Sequence, residues 1–355
     1  MRREDSITLI RWVFDLIWIL RSANSEATDF YLETVAIALE RAGFAATAVP
    51  AEKARACVMA HAKSGDWFIS ANVMEACRIF SWGARNIILW CQGIIPEESF
   101  LRNGSKVKAS ALSLIEKRAL KKAAFCLFVS DDMRRHYERK YKLDFDGRCF
   151  VMPCFNSTLQ TESFFVEGKY DSPTFAYVGS LAAWQCFEAT IDLYKELEGQ
   201  LCEARLKVLT FDQDMAREVL KAKGVKHYEL GCVPPEKVAQ ELAGVAYGFV
   251  IREDDPVNRV ATPTKLSSYM AAGVIPVFSE CIGSFSELAH GLSYAIPVGC
   301  PVDVDEVAQR CAVPPRREAV LAEYRQIFDT YYSREYYVER LAPLLASVIG
   351  EGGRA

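Results

Sequence analysis

Histidine is scarce in this chain: His61, His136, His227 and His290 are scattered through 355 residues. None has a sequence neighbour that marks a base and its orienting partner, so a histidine-centred catalyst is not expected. There is no H-E-x-x-H and no close cluster of His, Cys and carboxylates, so no metal site is expected. Neither G-x-G-x-x-G nor a Walker lysine motif occurs, which argues against dinucleotide-binding dehydrogenases and P-loop enzymes. Long hydrophobic runs are missing as well. The most apolar stretch, "ITLIRWVFDLIWIL", is broken by Arg11 and Asp15. Its unbroken parts fall far short of the roughly 20 residues that span a bilayer. A buried strand, with or without a short helix before it, fits better than a signal peptide. A net charge of -4 gives no reason to expect a general nucleic-acid binder.

Cysteine is plentiful, at twelve residues, yet no C-x-x-C occurs. Cys57, Cys77, Cys126, Cys202 and Cys311 sit among apolar residues as small core side chains do. That pattern points to a reducing, cytoplasmic compartment rather than a disulfide framework.

The length favours two domains. Short apolar runs such as "LIWIL", "DWFIS", "NIILW" and "FCLFVS" alternate with amphipathic stretches of helical period. Strands alternating with helices of this length build a parallel, doubly wound α/β sheet. The periodicity fades from Asn156 to Pro173 and then restarts with "TFAYVG", "RLKVLTF", "KHYELG", "AYGFVI" and "VIPVFS". Two Rossmann-like domains are therefore expected, over 1–165 and 166–316. Helices over 317–355 are expected to pack back toward the first domain.

One cation sits where helix physics disfavours it. In "NRVATPTKLSSYMAAGVIPVFSE", Thr262 and Pro263 read as a helix start, with Thr as cap and Pro at the first helical position. Lys265 then falls in the first turn, at the positive end of the helix dipole. Arg252 follows the strand "AYGFVI", at the carboxyl end where open parallel sheets bind ligands, and Arg259 lies between the two. Helix N-termini are ready anion sites. Three cations gathered at one suit a diphosphate, which accepts bidentate bonds from arginine. The alternative is local neutralisation, with Glu253, Asp254 and Asp255 pairing with all three.

With these motifs in order, the chain resembles the GT-B glycosyltransferases. The residues that carry the likeness are "YVGSLAAWQ", "HYELGCVPPEKVAQELAGVAYGFVIRE", "TPTKLSSYMAAGVIPVFSE" and "FVSDDMRRHYERKY". The last is similar to a helix of bacterial retaining enzymes that build surface polysaccharides. The resemblance implies parallel sheets facing a central cleft, with a nucleotide-diphosphate sugar held mainly by the second domain. It implies a glycan or polyprenyl-linked acceptor on the first domain, and transfer without metal or cofactor. It implies a diphosphate site at Arg252, Lys265 and Thr264, with Gly179 and Ser180 in the glycine loop and Arg259 in support. Cys232 and Val233 would pack near the nucleobase. Ser268 stands near the ribose, where the family often has Glu, and Ser180 and Gln185 stand near positions of a family arginine and lysine. Two other functions remain open on this fold: a nucleotide-sugar epimerase or hydrolase, and a non-catalytic nucleotide- or glycan-binding protein.

In the first domain "WCQGIIPEES" follows a strand and so should face the cleft. Trp90 and Gln92 are candidates to hold a sugar, as is Glu97 or Glu98; a plain helix start, with acids favoured by the dipole, is the competing reading. Glu26 and Asp29 are weaker cleft candidates. Between Arg102 and Lys142 twelve basic residues face four acidic ones. Lys117, Arg118, Lys121 and Lys122 stripe one helix beside Leu112, Leu114, Ile115 and Leu120. This is either a solvated helix face or a peripheral contact with anionic membrane, placing the protein at the inner face of the cell membrane.

Overall fold

The computed structural model describes residues 16–21 and 26–352. The stretch before Leu16 and the Glu26 side chain, with the readings made on them, lie outside the described residues. Two six-stranded sheets make up the protein, and every strand pair in them is parallel. The first contains β1 (Ile17–Leu20), β2 (Ala46–Val49), β3 (Trp67–Ser70), β4 (Asn86–Cys91), β5 (Phe125–Phe128) and β6 (Cys149–Val151). Its order is β2-β1-β3-β4-β5-β6. The second contains β7 (Thr174–Val178), β8 (Arg205–Leu209), β9 (Tyr228–Gly231), β10 (Tyr247–Val250), β11 (Ile275–Ser279) and β12 (Ile296–Val298). Its order is β12-β11-β10-β7-β8-β9. The chain winds one way from β7 to β9 and the other way from β10 to β12, so β7 and β10 flank the switch point. Ligands bind at the carboxyl ends of strands at such a point.

β7 and β10 pair only near their starts, Phe175 with Tyr247 and Ala176 with Gly248. Beyond that the side chain of Tyr269 takes the ladder's place. Its hydroxyl accepts from the Val178 N–H at 3.1 Å, and it is fully buried. Gly248 makes this possible, because a Cβ there would lie 2.6 Å from the Tyr269 ring. The helix Thr264–Ala271 is thereby fixed over the opening between the two strands.

The second domain carries elements that the sequence reading missed. The acidic loop after β10 holds a short helix, Pro256–Val260, capped by the Asp255 carboxylate, which accepts from Val257 N–H at 2.7 Å and Asn258 N–H at 3.1 Å. The helix carrying Lys265 starts one residue later than expected, with Pro263 as its cap residue. The Thr262 hydroxyl accepts instead from the Cys154 backbone, 3.0 Å away in the inter-domain segment.

The domains touch through the helix Asp131–Tyr141. Its cap, Ser130, accepts from Met133 N–H and donates across to the Val260 carbonyl at 2.7 Å. The C-terminal helix Arg334–Gly352 packs on the helix Glu26–Arg41 of the first domain. There Arg334 pairs with Glu33 at 3.2 Å and lies 3.9 Å over the Phe30 ring. All twelve cysteines are free thiols. Cys202 is exposed rather than a core residue, because it follows the helix Phe187–Gln200 in a surface turn.

Candidate functional site

A cavity of about 860 Å³ lies between the domains at the β7/β10 switch point. Gln92, Gly93 and Glu98 line it from the first domain; Gly179, Ser180, Arg252, Thr264, Lys265 and Ser268 line it from the second. The turn after β7 is pinned in three places. Gly179 N–H donates to Leu209 O at 2.9 Å, Tyr177 Oη donates to Ser180 O at 2.7 Å, and Leu181 N–H donates to an Asp212 carboxylate oxygen at 3.0 Å. Gly179 has φ +129°, and a Cβ there would meet Lys265 Cε at 2.9 Å. Only glycine lets the turn and the lysine come this close.

The Lys265 ammonium is buried and, among the described residues, no hydrogen-bond acceptor reaches it. It lies 4.1 Å from the centre of the Tyr177 ring. Burial drives its pKa well below the ordinary lysine value, and the positive charge of Arg252 pushes the same way. A cation–π contact contributes about 0.5–2 kcal/mol, whereas removing an ion from water costs several kcal/mol. The ring therefore does not balance the charge. Arg252 is 7% exposed. It donates to Gln185 O at 2.9 Å, Gln185 Oε1 at 2.7 Å and Ile251 O at 3.0 Å. Among the described residues no carboxylate forms an ion pair with either cation.

Arg259 stands apart. Its guanidinium makes two bonds to Asp254, at 2.6 and 2.9 Å, more than half exposed and outside the cavity lining. Local neutralisation thus applies to Arg259 alone; Asp255 is spent on capping. Ser268 lines the cavity in a neutral network, its hydroxyl 3.2 Å from Ser157 Oγ and 3.2 Å from Asn156 Oδ1. Asn156, Ser157 and Gln160 come from the inter-domain segment, whose lack of periodicity gave no sign of a role. Cys232 and Val233 lie outside the lining; Glu236 and Val238, a few residues on, are in it.

In the first domain two expectations are corrected. Trp90 does not face the cleft: it is 1% exposed and stacks on Tyr31 at 3.9 Å, because its position in β4 points it into the core. Glu97 turns away to His136 at 3.2 Å and Lys140 at 2.7 Å. Burial pushes its carboxyl up, but these two partners outweigh that and hold it below the ordinary range. Glu98, rather than Glu97, is the acid that this helix turns into the cleft. Burial raises its pKa, with Arg102 pulling the other way, and a Cβ at Gly93 would collide with its carboxylate. Gln92 lines the cavity and donates to Ala71 O at 2.5 Å. Asp29 pairs with Arg21 outside the lining.

Solved structures with this arrangement are numerous. A glycosyltransferase from Rickettsia africae superposes with TM-score 0.65 at 10% identity, over 95% of this chain and 99% of that one. The fold is GT-B. HepE of Anabaena, solved with UDP and glucose, superposes with TM-score 0.62 at 13% identity, over 94% of this chain and 99% of its own. The lipopolysaccharide outer core galactosyltransferase WaaB does so with TM-score 0.60 at 11% identity, over 94% and 99%. No family model matches this sequence. No curated protein matches it at sequence level. The GT-B assignment therefore rests on the two sheets, their order and the cleft between them.

Proposed function

We propose that the protein is a glycosyltransferase that moves a sugar from a nucleotide-diphosphate donor to a glycan or lipid-linked acceptor in cell-surface polysaccharide assembly. The observation that carries this reading is the buried Lys265 ammonium without an acceptor, beside Arg252, at the switch point of the second sheet. A diphosphate supplies the missing acceptor and the missing negative charge together. The two cations, the free N–H groups at the start of the helix Thr264–Ala271 and the turn at Gly179 and Ser180 would hold it. They would also stabilise the charge that develops on the leaving diphosphate, so the reading needs no metal ion. Ser268, with Asn156 and Ser157, would meet the ribose. Glu98 and Gln92 would meet sugar hydroxyls, and a retaining outcome follows the family resemblance. HepE, with its UDP and glucose, illustrates the donor class on this fold.

A second reading, a nucleotide-binding protein without transfer, draws on Arg252: Gln185 already accepts two of its bonds. Incubation of the purified protein with a panel of nucleotide sugars, with and without lipid-linked acceptor, separates the two. The transferase reading expects nucleotide release with at least one donor, accelerated by acceptor. Binding of a donor without any release would leave the second reading in place.

A further inference from the structure

A second hollow lies beside the cleft. The helix Ile95–Asn103 divides the two spaces: Glu98 lines the cleft, while Pro96, Phe100 and Leu101 line a groove of about 580 Å³. The far wall of the groove is the helix Lys106–Lys122, through Lys106, Ala109, Ser110 and Ser113. Its floor is Pro256 and Val257 of the second domain, and Val257 also lines the cleft, so the spaces adjoin. The lining surface is mainly apolar. Of the charged side chains at its edge, Glu97 and Lys140 pair with each other and Asp255 caps a helix. Lys106 remains, exposed and with no ion pair among the described residues.

The same wall helix presents an outer stripe at helical spacing: Val107, Ala111, Leu114, Arg118 and Lys121, all exposed. Val107 is 84% and Leu114 72% exposed, beside Arg118 and Lys121, which form no ion pair among the described residues. An apolar stripe with a basic end suits an anionic bilayer surface.

We propose that the groove holds the hydrocarbon chain of a lipid-phosphate acceptor, drawn from a membrane at the outer stripe toward the cleft. The proposal rests on the transferase reading above and deepens it. Three observations select this occupant. The groove is apolar, it adjoins the cleft where the phosphate end would be used, and its free rim charge, Lys106, is of the sign a lipid phosphate requires. A peptide fits less well, since the Ser113 hydroxyl is already committed to Ala109 O at 3.0 Å and the walls offer little to pair with a backbone.

The test uses farnesyl phosphate below its aggregation threshold, with inorganic phosphate and farnesol as comparators, measured by calorimetry on the full chain. Two fillers of the groove, Ala109→Trp and Ser110→Trp, change positions outside the buried core clusters, and their thermal midpoints report folding. The proposal expects farnesyl phosphate to bind at least tenfold more tightly than inorganic phosphate, and either folded filler to weaken it at least tenfold. Binding of the preferred nucleoside diphosphate, measured in the same samples, should be unchanged. Equal binding of farnesyl phosphate by the wild type and a folded filler, or wild-type binding no tighter than that of inorganic phosphate, would overturn the proposal. Failure of the wild type to bind any of the common nucleoside diphosphates would count against the transferase reading instead, and so identifies which of the two has failed.

Discussion

A lysine ammonium buried without an acceptor is a poor residue for stability. Lys265 pays desolvation that the Tyr177 ring only partly offsets, and Arg252 repels it. Such a group carries its proton reluctantly in the free protein and readily beside a diphosphate. Binding of a nucleotide diphosphate should therefore take up protons. Free Lys265 has a lowered pKa and the complexed group a higher one, so affinity is greatest below the free value and falls as pH rises through the window between them. Calorimetry in buffers of different ionisation enthalpy, repeated across pH, measures the uptake. Uptake should vanish in Lys265→Met; its persistence there would assign the proton to another group. The lysine itself was legible in the sequence, since a cation in a first helical turn breaks a dipole rule. Its loss of partners was not, because three acids follow Arg252 in the chain and it is the tertiary fold that turns Asp254 to Arg259 and Asp255 to a helix end.

At the scale of elements, the site depends on two strands that part company. Tyr269 takes over from the ladder between β7 and β10 and holds the Lys265 helix across the gap. Tyr269→Phe leaves the ring in place but strands the Val178 N–H. An unsatisfied buried donor costs about 1–3 kcal/mol, so the thermal midpoint should fall by several degrees, and diphosphate binding should weaken with it. An unchanged midpoint in differential scanning calorimetry would show that the hydroxyl bond is not structural. The long alternating elements were readable because each spans a full period of its pattern. The five-residue helix Pro256–Val260 was not, being too short to show one. Asp255-Pro256 did carry a cap-and-proline signal. Trp90 and Glu97 were misplaced because position after a strand does not say which face of β4, or which side of the helix Ile95–Asn103, a side chain takes.

At the scale of the whole molecule, two domains close on each other through contacts that no local pattern announces. Ser130 donates to Val260, and the Arg102 guanidinium lies 5.6 Å from the centre of the Trp184 ring across the cleft. The tandem sheets were legible; the depth of the cleft, and the use of Asn156 and Ser157 inside it, were not, since both arise from packing between distant segments. Among the described residues no helix is long and apolar enough to cross a membrane. Lys117, Arg118, Lys121 and Lys122 are all exposed. Near an anionic leaflet each contributes about 1 kcal/mol. Their combined reversal to Glu should abolish co-sedimentation with anionic vesicles at low salt while leaving nucleotide binding intact; retention on the vesicles would remove the patch from the account. The central claim, a diphosphate held by Lys265 and Arg252, has a direct measurement: calorimetric binding of UDP and uridine, and of the other nucleoside diphosphates with their nucleosides, to the wild type, Lys265→Met and Arg252→Met. A hydrogen bond to a charged group is worth about 1.5–3 kcal/mol. Each variant should therefore bind its preferred diphosphate about tenfold to a hundredfold more weakly, with nucleoside binding little changed. Wild-type binding no tighter to any diphosphate than to its nucleoside, or variants that lose both ligands equally, would contradict it.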